Sequence, residues 1–220
     1  VLPFNPIDRA NSPYCSPSAF AGNYIFINPK GLYDMGLICE EDYKSNIYDG
    51  TPYTADYEFA GKKRLELLKK AFLNINDELA RQIKEFEISN SWLTDYSVFM
   101  AVKEEENMKP WWEWSDEHAH YFECIKNIYS YEKSAAFWKF VQFVFYKQWN
   151  EIKAYANKKG VAVIGDMPIY VAMDSVDVWS NLPMFLIDEK TLKVEKVAGV
   201  PPDYFSKDGQ LWGNPIYDWN

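Results

Sequence analysis

The stretch from residue 131 to 164 narrows the fold more than any other part of this chain. Between 131 and 158, Ala136, Phe137, Phe140, Val141, Val144, Phe145 and Ile152 recur at i, i+3 and i+4 spacing, the period of a helix with one buried face. Lys159-Gly160 breaks that pattern, and Val161-Ala-Val-Ile164 follows at once without a polar residue. A short run that is apolar on both faces is what a strand of a parallel sheet requires when it is covered on both sides. A helix that passes this abruptly into such a strand is a join of α/β type. Asp166 comes directly after the expected strand, at its carboxyl end, where α/β folds build their sites. Position alone leaves two readings of it open, a functional carboxylate or the cap of a turn or helix.

The rest of the chain divides around this join. Residues 1–53 read as a strand end, a long loop punctuated by Asn5-Pro6, Asn11-Ser-Pro13 and Ser16-Pro17, and a short helix near Gly31–Leu37. Residues 54–130 read as an inserted helical block. Thr54 or Asp56 caps a helix to about Leu73, and further helices are expected at about 76–87, 91–106 and 115–129. Residues 131–220 hold the helix, the strand and then loops. Within them a short helix at 174–180 has Asp174 as its cap, and a hairpin sets 185–187 against 194–197. From Gly199 onward the Pro, Gly and Asp content predicts ordered loop. The chain opens on Val1-Leu-Pro-Phe4, which reads as the tail of a buried strand, and stops at Asp218-Trp219-Asn220 without a closing element; the expectation is a fragment.

Charge and composition exclude several partners. With 23 basic against 32 acidic residues and no cluster of five or more Lys/Arg, nucleic acid and anionic membrane are poor partners. No apolar run approaches the ~18 residues of a membrane helix, and no basic-then-apolar signal pattern opens the chain. Cys15, Cys39 and Cys124 fit neither a disulfide framework nor a zinc site, so reduced thiols in a cytoplasmic protein are expected. His118 and His120, the only histidines, point apart on the helix expected there, which argues against a metal site. No Gly-x-Ser-x-Gly elbow, Walker loop or dinucleotide fingerprint is present.

Aromatic residues make up 18% of the chain, and their clustering separates core from candidate surface. Trp and Tyr pair an apolar face with a polar edge, the surface that a pyranose ring fits. Trp111-Trp-Glu-Trp114 reads as core at the edge of the helical block, with glucan stacking as the alternative. Glu104-Glu-Glu106 reads as a solvated helix end, and Asp174 with Asp177 as a cap and its first-turn partner. The 199–217 stretch differs. It carries Asp203, Tyr204, Phe205, Gln210, Trp212, Asn214 and Tyr217 among many Gly and Pro, so these side chains cannot all be buried. A long aromatic loop of this kind is usually functional, a site or a protein-interaction surface.

At these residues the chain resembles a known family. Gly165-Asp-Met-Pro-Ile-Tyr-Val-Ala-Met-Asp-Ser-Val-Asp-Val-Trp179, Val197-Ala-Gly-Val-Pro-Pro-Asp-Tyr-Phe-Ser206 and Gly209-Gln-Leu-Trp-Gly-Asn-Pro-Ile-Tyr-Asp-Trp219 resemble the amylomaltases, or 4-α-glucanotransferases. Asn11-Ser-Pro-Tyr14, Ser18-Ala-Phe-Ala-Gly-Asn23 and Trp92-Leu-Thr-Asp-Tyr96 resemble the same family, so matches run from end to end. The resemblance implies the N-terminal half of a (β/α)8 barrel, an α/β fold, with a helical subdomain inserted on its carboxyl-end face. It implies transfer of α-1,4-glucan segments between maltooligosaccharides with retention, by double displacement. No metal or organic cofactor is implied.

Position by position, the resemblance assigns substrate-binding roles. Tyr14 forms a stacking floor with Ser12 beside it, and Asp166 orients neighbours of the nucleophile without attacking. Tyr204 and Phe205 head a lid-like loop, while Gln210, Trp212 and Asn214 line the cleft. Tyr170 and Val171 stand where the α-amylase group carries Asn-His, so no His contact to the sugar is implied. No catalytic residue is expected in this chain. The family's nucleophile motif and its acid/base Glu fall downstream of Asn220, on the absent C-terminal half of the barrel, and a complementary C-terminal fragment is the expected partner. A non-catalytic α-glucan-binding module and a protein-binding scaffold are the alternatives.

Overall fold

In the computed structural model, residues 1–7, 11–51 and 53–220 are described. They form helices α1 Pro29–Asp34, α2 Glu40–Lys44, α3 Tyr57–Phe72, α4 Asp77–Ser89, α5 Trp92–Glu105, α6 Asp116–Ala119, α7 Tyr121–Lys126, α8 Glu132–Lys158 and α9 Val176–Trp179. Strands β1 Val197–Val200 and β2 Gln210–Pro215 pair antiparallel. The fold is therefore mixed helix and strand. The chain divides into two units, one of Val1, 21–97 and 133–164, the other of 2–20, 98–132 and 165–220.

The first unit is built from helices whose starts are written locally. Asp56 accepts from the Phe59 amide at 2.8 Å, Asn76 from Leu79 at 2.9 Å, and Asn28 from Lys30 at 3.0 Å with Pro29 following. Each cap satisfies an amide that the first turn leaves without a partner. The expected α8 stripe is the core, with Phe137, Phe140, Val141, Val144 and Phe145 buried. Phe72 of α3 meets the rings of Phe137 and Phe140, and Phe86 of α4 meets Phe143.

Two glutamines interrupt that stripe for a reason visible only in space. Gln142 is fully buried; its Oε1 accepts from the Gly22 amide at 2.7 Å and its Nε2 donates to the Gly22 carbonyl at 3.0 Å. Six residues along, Gln148 makes the same two bonds with Asn28, at 2.7 and 3.2 Å. The side chains pair with the backbone on either side of a single helical turn, Tyr24–Phe26, which closes its own bonds from Phe26 to Asn23 and from Ile27 to Tyr24. Gly22 is required there, since a Cβ would sit 2.0 Å from the Phe145 ring.

The strand expected at Val161–Ile164 does not form. The Val1 amino group donates to the Ile164 carbonyl at 2.7 Å, but no ladder continues and the side chains are exposed, Val161 by 55% and Ile164 by 80%. The sequence reading required cover on both faces. Among the described residues neither a neighbouring ladder nor an apolar layer supplies it, and a lone extended run cannot satisfy its own peptide groups.

The second unit is organised by tryptophans. Phe99, Trp114 and Trp179 form a triangle with centroids 5.2, 5.6 and 5.8 Å apart, and Tyr121 meets Trp179 edge-on at 5.1 Å. Every buried indole N–H finds a carbonyl: Trp111 on Met173, Trp114 on Lys109, Trp179 on His118. Trp111 and Trp114 of the patch are thus core, while Trp112 and Glu113 face outward. The helix expected over 115–129 is broken at His120 into α6 and α7. The His118 carbonyl is taken by Trp179, and the His118 ring bridges Glu106 at 2.6 Å and Tyr131 at 2.7 Å. Glu106 is therefore not a solvated helix end.

Asp174 is not a helix cap either. Ser175 takes that place, accepting from the Val178 amide, while Asp174 holds the Lys103 ammonium at 2.6 and 2.8 Å. Lys103 is buried, with its ammonium also on the Lys109 carbonyl and over the Phe99 and Trp114 rings. The segment 210–215, expected as loop, is strand β2, because its backbone finds β1. The expected 185–187 with 194–197 hairpin is reduced to one bridge, Ile187 with Val194. No helix among the described residues is long and apolar enough to cross a membrane.

Removing the Asp174 carboxylate strands a buried ammonium. Asp174→Ala is expected to lower stability by about 3 kcal/mol, measured by urea unfolding, with Asp174→Glu recovering part of the loss.

Candidate functional site

The site lies within the second unit, where three separate segments meet. The loop 11–19 is fixed by backbone and carboxylate bonds to α9: the Val176 amide donates to the Pro17 carbonyl at 2.9 Å and the Ala19 amide to Asp177 at 2.8 Å. Burial pushes the Asp177 carboxyl above its usual range, against the lowering pull of the Ala19 amide. Ser16 and Asn5 both donate to the Ser18 carbonyl, tightening the same loop. Asn11 has φ of +59°, in the left-handed region that Asn tolerates better than most residues.

Thus anchored, the loop presents Tyr14 to Asp166. The phenol donates to the carboxylate at 2.6 Å, a charge-assisted bond across 152 positions of sequence. The other carboxylate oxygen accepts from the Met167 amide at 2.9 Å. Asp166 caps no helix; its carboxylate is shared between the Tyr14 phenol and the Met167 amide. The bond to Asp166 is the chief cause of a raised Tyr14 pKa, with smaller contributions from burial and from the charge of Asp166. Its contribution is complete below the ordinary phenol value of 10.0 and is lost as pH rises through the raised value. Ser12 accepts from the Tyr14 amide at 3.3 Å.

The opposite wall comes from an irregular hairpin. Two steps along β1, Val197 to Gly199, match four along β2, Pro215 to Leu211, so β2 bulges at 212–214. Gly213 has φ of +80° at the bulge. Bulges re-aim side chains, and here Trp212 is 44% exposed while Asn214 turns inward, 8% exposed, and donates to the Val171 carbonyl at 2.9 Å. Strand pairing demands Gly199, where a Cβ would stand 2.4 Å from the Gln210 carbonyl oxygen.

Together these segments enclose a cavity of about 540 Å³. Ser12, Tyr14 and Cys15 line it on one side, the 166–170 segment along its length, and Trp212 with Asn214 on the other. Of the eight expected substrate-binding residues, Ser12, Tyr14, Asp166, Trp212 and Asn214 are brought together. Gln210 is not in the wall; it accepts from the Trp212 indole at 3.1 Å and so bears on that ring's orientation. Tyr204 and Phe205 stand at the tip between β1 and β2, 97% and 89% exposed, and do not line the cavity. Their turn is built by Asp203, whose carboxylate accepts from the Phe205 and Ser206 amides at 2.9 and 2.8 Å.

Sequence reasoning missed Cys15, Met167 and Ile169 as wall residues; Met167 and Ile169 flank Pro168, and no pattern in their spacing marks them. Among the described residues no group of His, Cys, Asp and Glu could hold a metal ion. The cavity joins exposed aromatic faces to one carboxylate, a hydroxyl and an amide. That combination, apolar ring faces beside a few convergent polar groups, is of the kind found in small-molecule clefts.

The comparisons carry this from class to family. The 4-alpha-glucanotransferase family model matches residues 1–220, and the chain belongs to that family. The 4-alpha-glucanotransferase of Aquifex aeolicus is 44% identical over 225 residues, covering all of this chain and 44% of the relative. That of Clostridium butyricum is 40% identical over 228 residues, covering all of this chain and 46% of the relative. An amylomaltase from Streptococcus agalactiae, solved in complex with acarbose, superposes with a TM-score of 0.90 at 40% identity, over 99% of this chain and 45% of that one. The chain therefore spans a little under half the length of these relatives.

Asp166→Asn removes the charge that holds the Tyr14 proton. The phenol is expected to titrate lower, near the ordinary value of about 10. Ultraviolet difference titration against a Tyr14→Phe reference measures it, and an unchanged titration would contradict the pairing.

Proposed function

We propose that this chain is the N-terminal portion of a 4-α-glucanotransferase that passes α-1,4-glucan segments between maltodextrins by retaining double displacement. The observation that carries the reading is the convergence of Tyr14, Asp166 and Trp212 on one cavity in a chain of this family. In this reading the chain supplies half a cleft, and the nucleophilic Asp and acid/base Glu lie on polypeptide downstream of Asn220. Residues 1–53 and 131–220 are segments of a partial (β/α)8 barrel, with 54–130 as its inserted helical subdomain. The apolar 161–164 run then becomes a barrel strand once complementary C-terminal polypeptide, in the same chain or as a fragment, covers it. The compartment is the cytoplasm.

The chemistry of the cleft supports these roles. Tyr14 is held by Asp166, so its ring is a pre-set platform for a pyranose and loses little freedom when sugar binds. Trp212 offers the second apolar face, with its indole N–H already spent on Gln210. Exposed on a built turn, Tyr204 and Phe205 are placed to cover an acceptor and keep water from a glycosyl-enzyme, the step at which transfer competes with hydrolysis. Ser12 adds a hydroxyl to the rim, and Asn214 completes the wall through its bond to Val171.

A maltotriose disproportionation assay on the full-length gene product tests the reading. Release of glucose together with longer maltodextrins is expected; binding without turnover would leave only a non-catalytic α-glucan-binding module. The 220-residue chain by itself is expected to show no turnover. In the full-length product, Phe205→Ala is expected to shift products from transfer towards hydrolysis several-fold, read as reducing-end release against chain elongation. An unchanged ratio would remove the lid role.

A further inference from the structure

The segment from Asp166 to Val171 carries a wall of the cleft yet has no regular secondary structure, so something outside it must set its course. Beyond the Tyr14 bond to Asp166, its course is set by contacts from β2 and the residues just beyond it. The Asn214 amide donates to the Val171 carbonyl at 2.9 Å. The Tyr217 hydroxyl donates to the Ile169 carbonyl at 3.3 Å. Between these two ties the Tyr170 ring lies stacked on Tyr217, 6.1 Å away at 12°, and meets Trp212 edge-on at 6.3 Å. Tyr217 is itself fixed: it bridges to Phe185, whose ring lies 5.2 Å from its own, and the neighbouring Asp218 amide donates to the Met184 carbonyl.

We propose that Asn214 and Tyr217 are positioning residues that clamp the 169–171 segment and so fix the spacing of Asp166 and Trp212 across the cleft. Asn214 then serves chiefly through its bond to Val171, since an amide only 8% exposed with its N–H on a carbonyl has little left for a sugar hydroxyl. Tyr170 is the spacer of the clamp: its ring transmits the position of Tyr217 to the face of Trp212. Burial pushes the Tyr217 phenol above its ordinary pKa, and a phenol keeps its proton to donate at neutral pH in any case.

The test has two arms, and only the second rests on the sugar-binding reading. In protein labelled with 5-fluorotryptophan, the Trp212 resonance is assigned by its loss in Trp212→Phe. Tyr217→Phe, which removes one hydroxyl and keeps the ring, is expected to shift or broaden that resonance and leave those of Trp111, Trp114 and Trp179 in place. Asn214→Asp, isosteric but without the donor, is expected to do the same. In the second arm, Tyr217→Phe is expected to weaken maltotriose binding about fivefold, but less than about twofold when Asp166→Asn is already present. Such non-additivity marks action through Asp166. An unmoved Trp212 resonance, or equal weakening in both backgrounds, would overturn the clamp. If the protein binds no maltotriose, the functional reading fails, and the resonance arm still decides the clamp.

Discussion

A buried ammonium organises the half of the chain that holds the cleft. Lys103 sits among Phe99, Trp114 and the Lys109 carbonyl, where a lone charge could not remain, and Asp174 neutralises it with two short bonds. Asp174 is thereby fixed, and with it α9 two residues on. That helix in turn holds the Pro17 carbonyl and the Ala19 amide, and so sets the loop that presents Tyr14. An ion pair remote from the cleft thus decides where a cleft residue stands. The Trp111 amide and indole reach the same 173–174 segment, so the tryptophan core and the site share one anchor.

The other unit solves a different problem by related means. A long helix with an apolar stripe must pack against the irregular 22–28 segment, whose only regular structure is a single helical turn. Gln142 and Gln148 supply the missing hydrogen bonds from the helix side and leave the stripe otherwise apolar. Glu87 receives Lys139 at 2.5 Å and ties α4 to the same helix. In both units, then, buried polar side chains such as Gln142 and Lys103 with its partner Asp174 fix the course of non-helical segments.

How legible these arrangements were depends on their range. Asp56 announces the start of α3, and α4 begins close to the expected residue 76, whereas α1 starts at Pro29, two residues before the Gly31 that the sequence suggests. The α8 stripe shows its buried face directly. By contrast Val161–Ile164 reads as strand only if something covers it, and apolar content cannot say whether a cover is at hand. Asp174 reads as a cap because Asp commonly is one, yet Lys103, 71 positions away, outcompetes the helix for it. In the cleft, Tyr14, Asp166 and Trp212 were legible as residue types in loops. That Asn214 faces Val171 and that Tyr217 braces Tyr170 follows from a bulge whose register no local pattern reveals.

From sequence alone came the longer helices, the Asp56 cap, the apolar face of α8, the family, and five of the ten residues that line the cleft. These are properties of neighbours along the chain or of long contiguous motifs. Only the tertiary structure decided what Lys103, Gln142, Asn214 and Tyr217 bind, because their partners are backbone carbonyls, amides and a carboxylate whose positions depend on how distant segments pack. A peptide group has no side chain to mark it, so a bond to one leaves no trace in the order of residues.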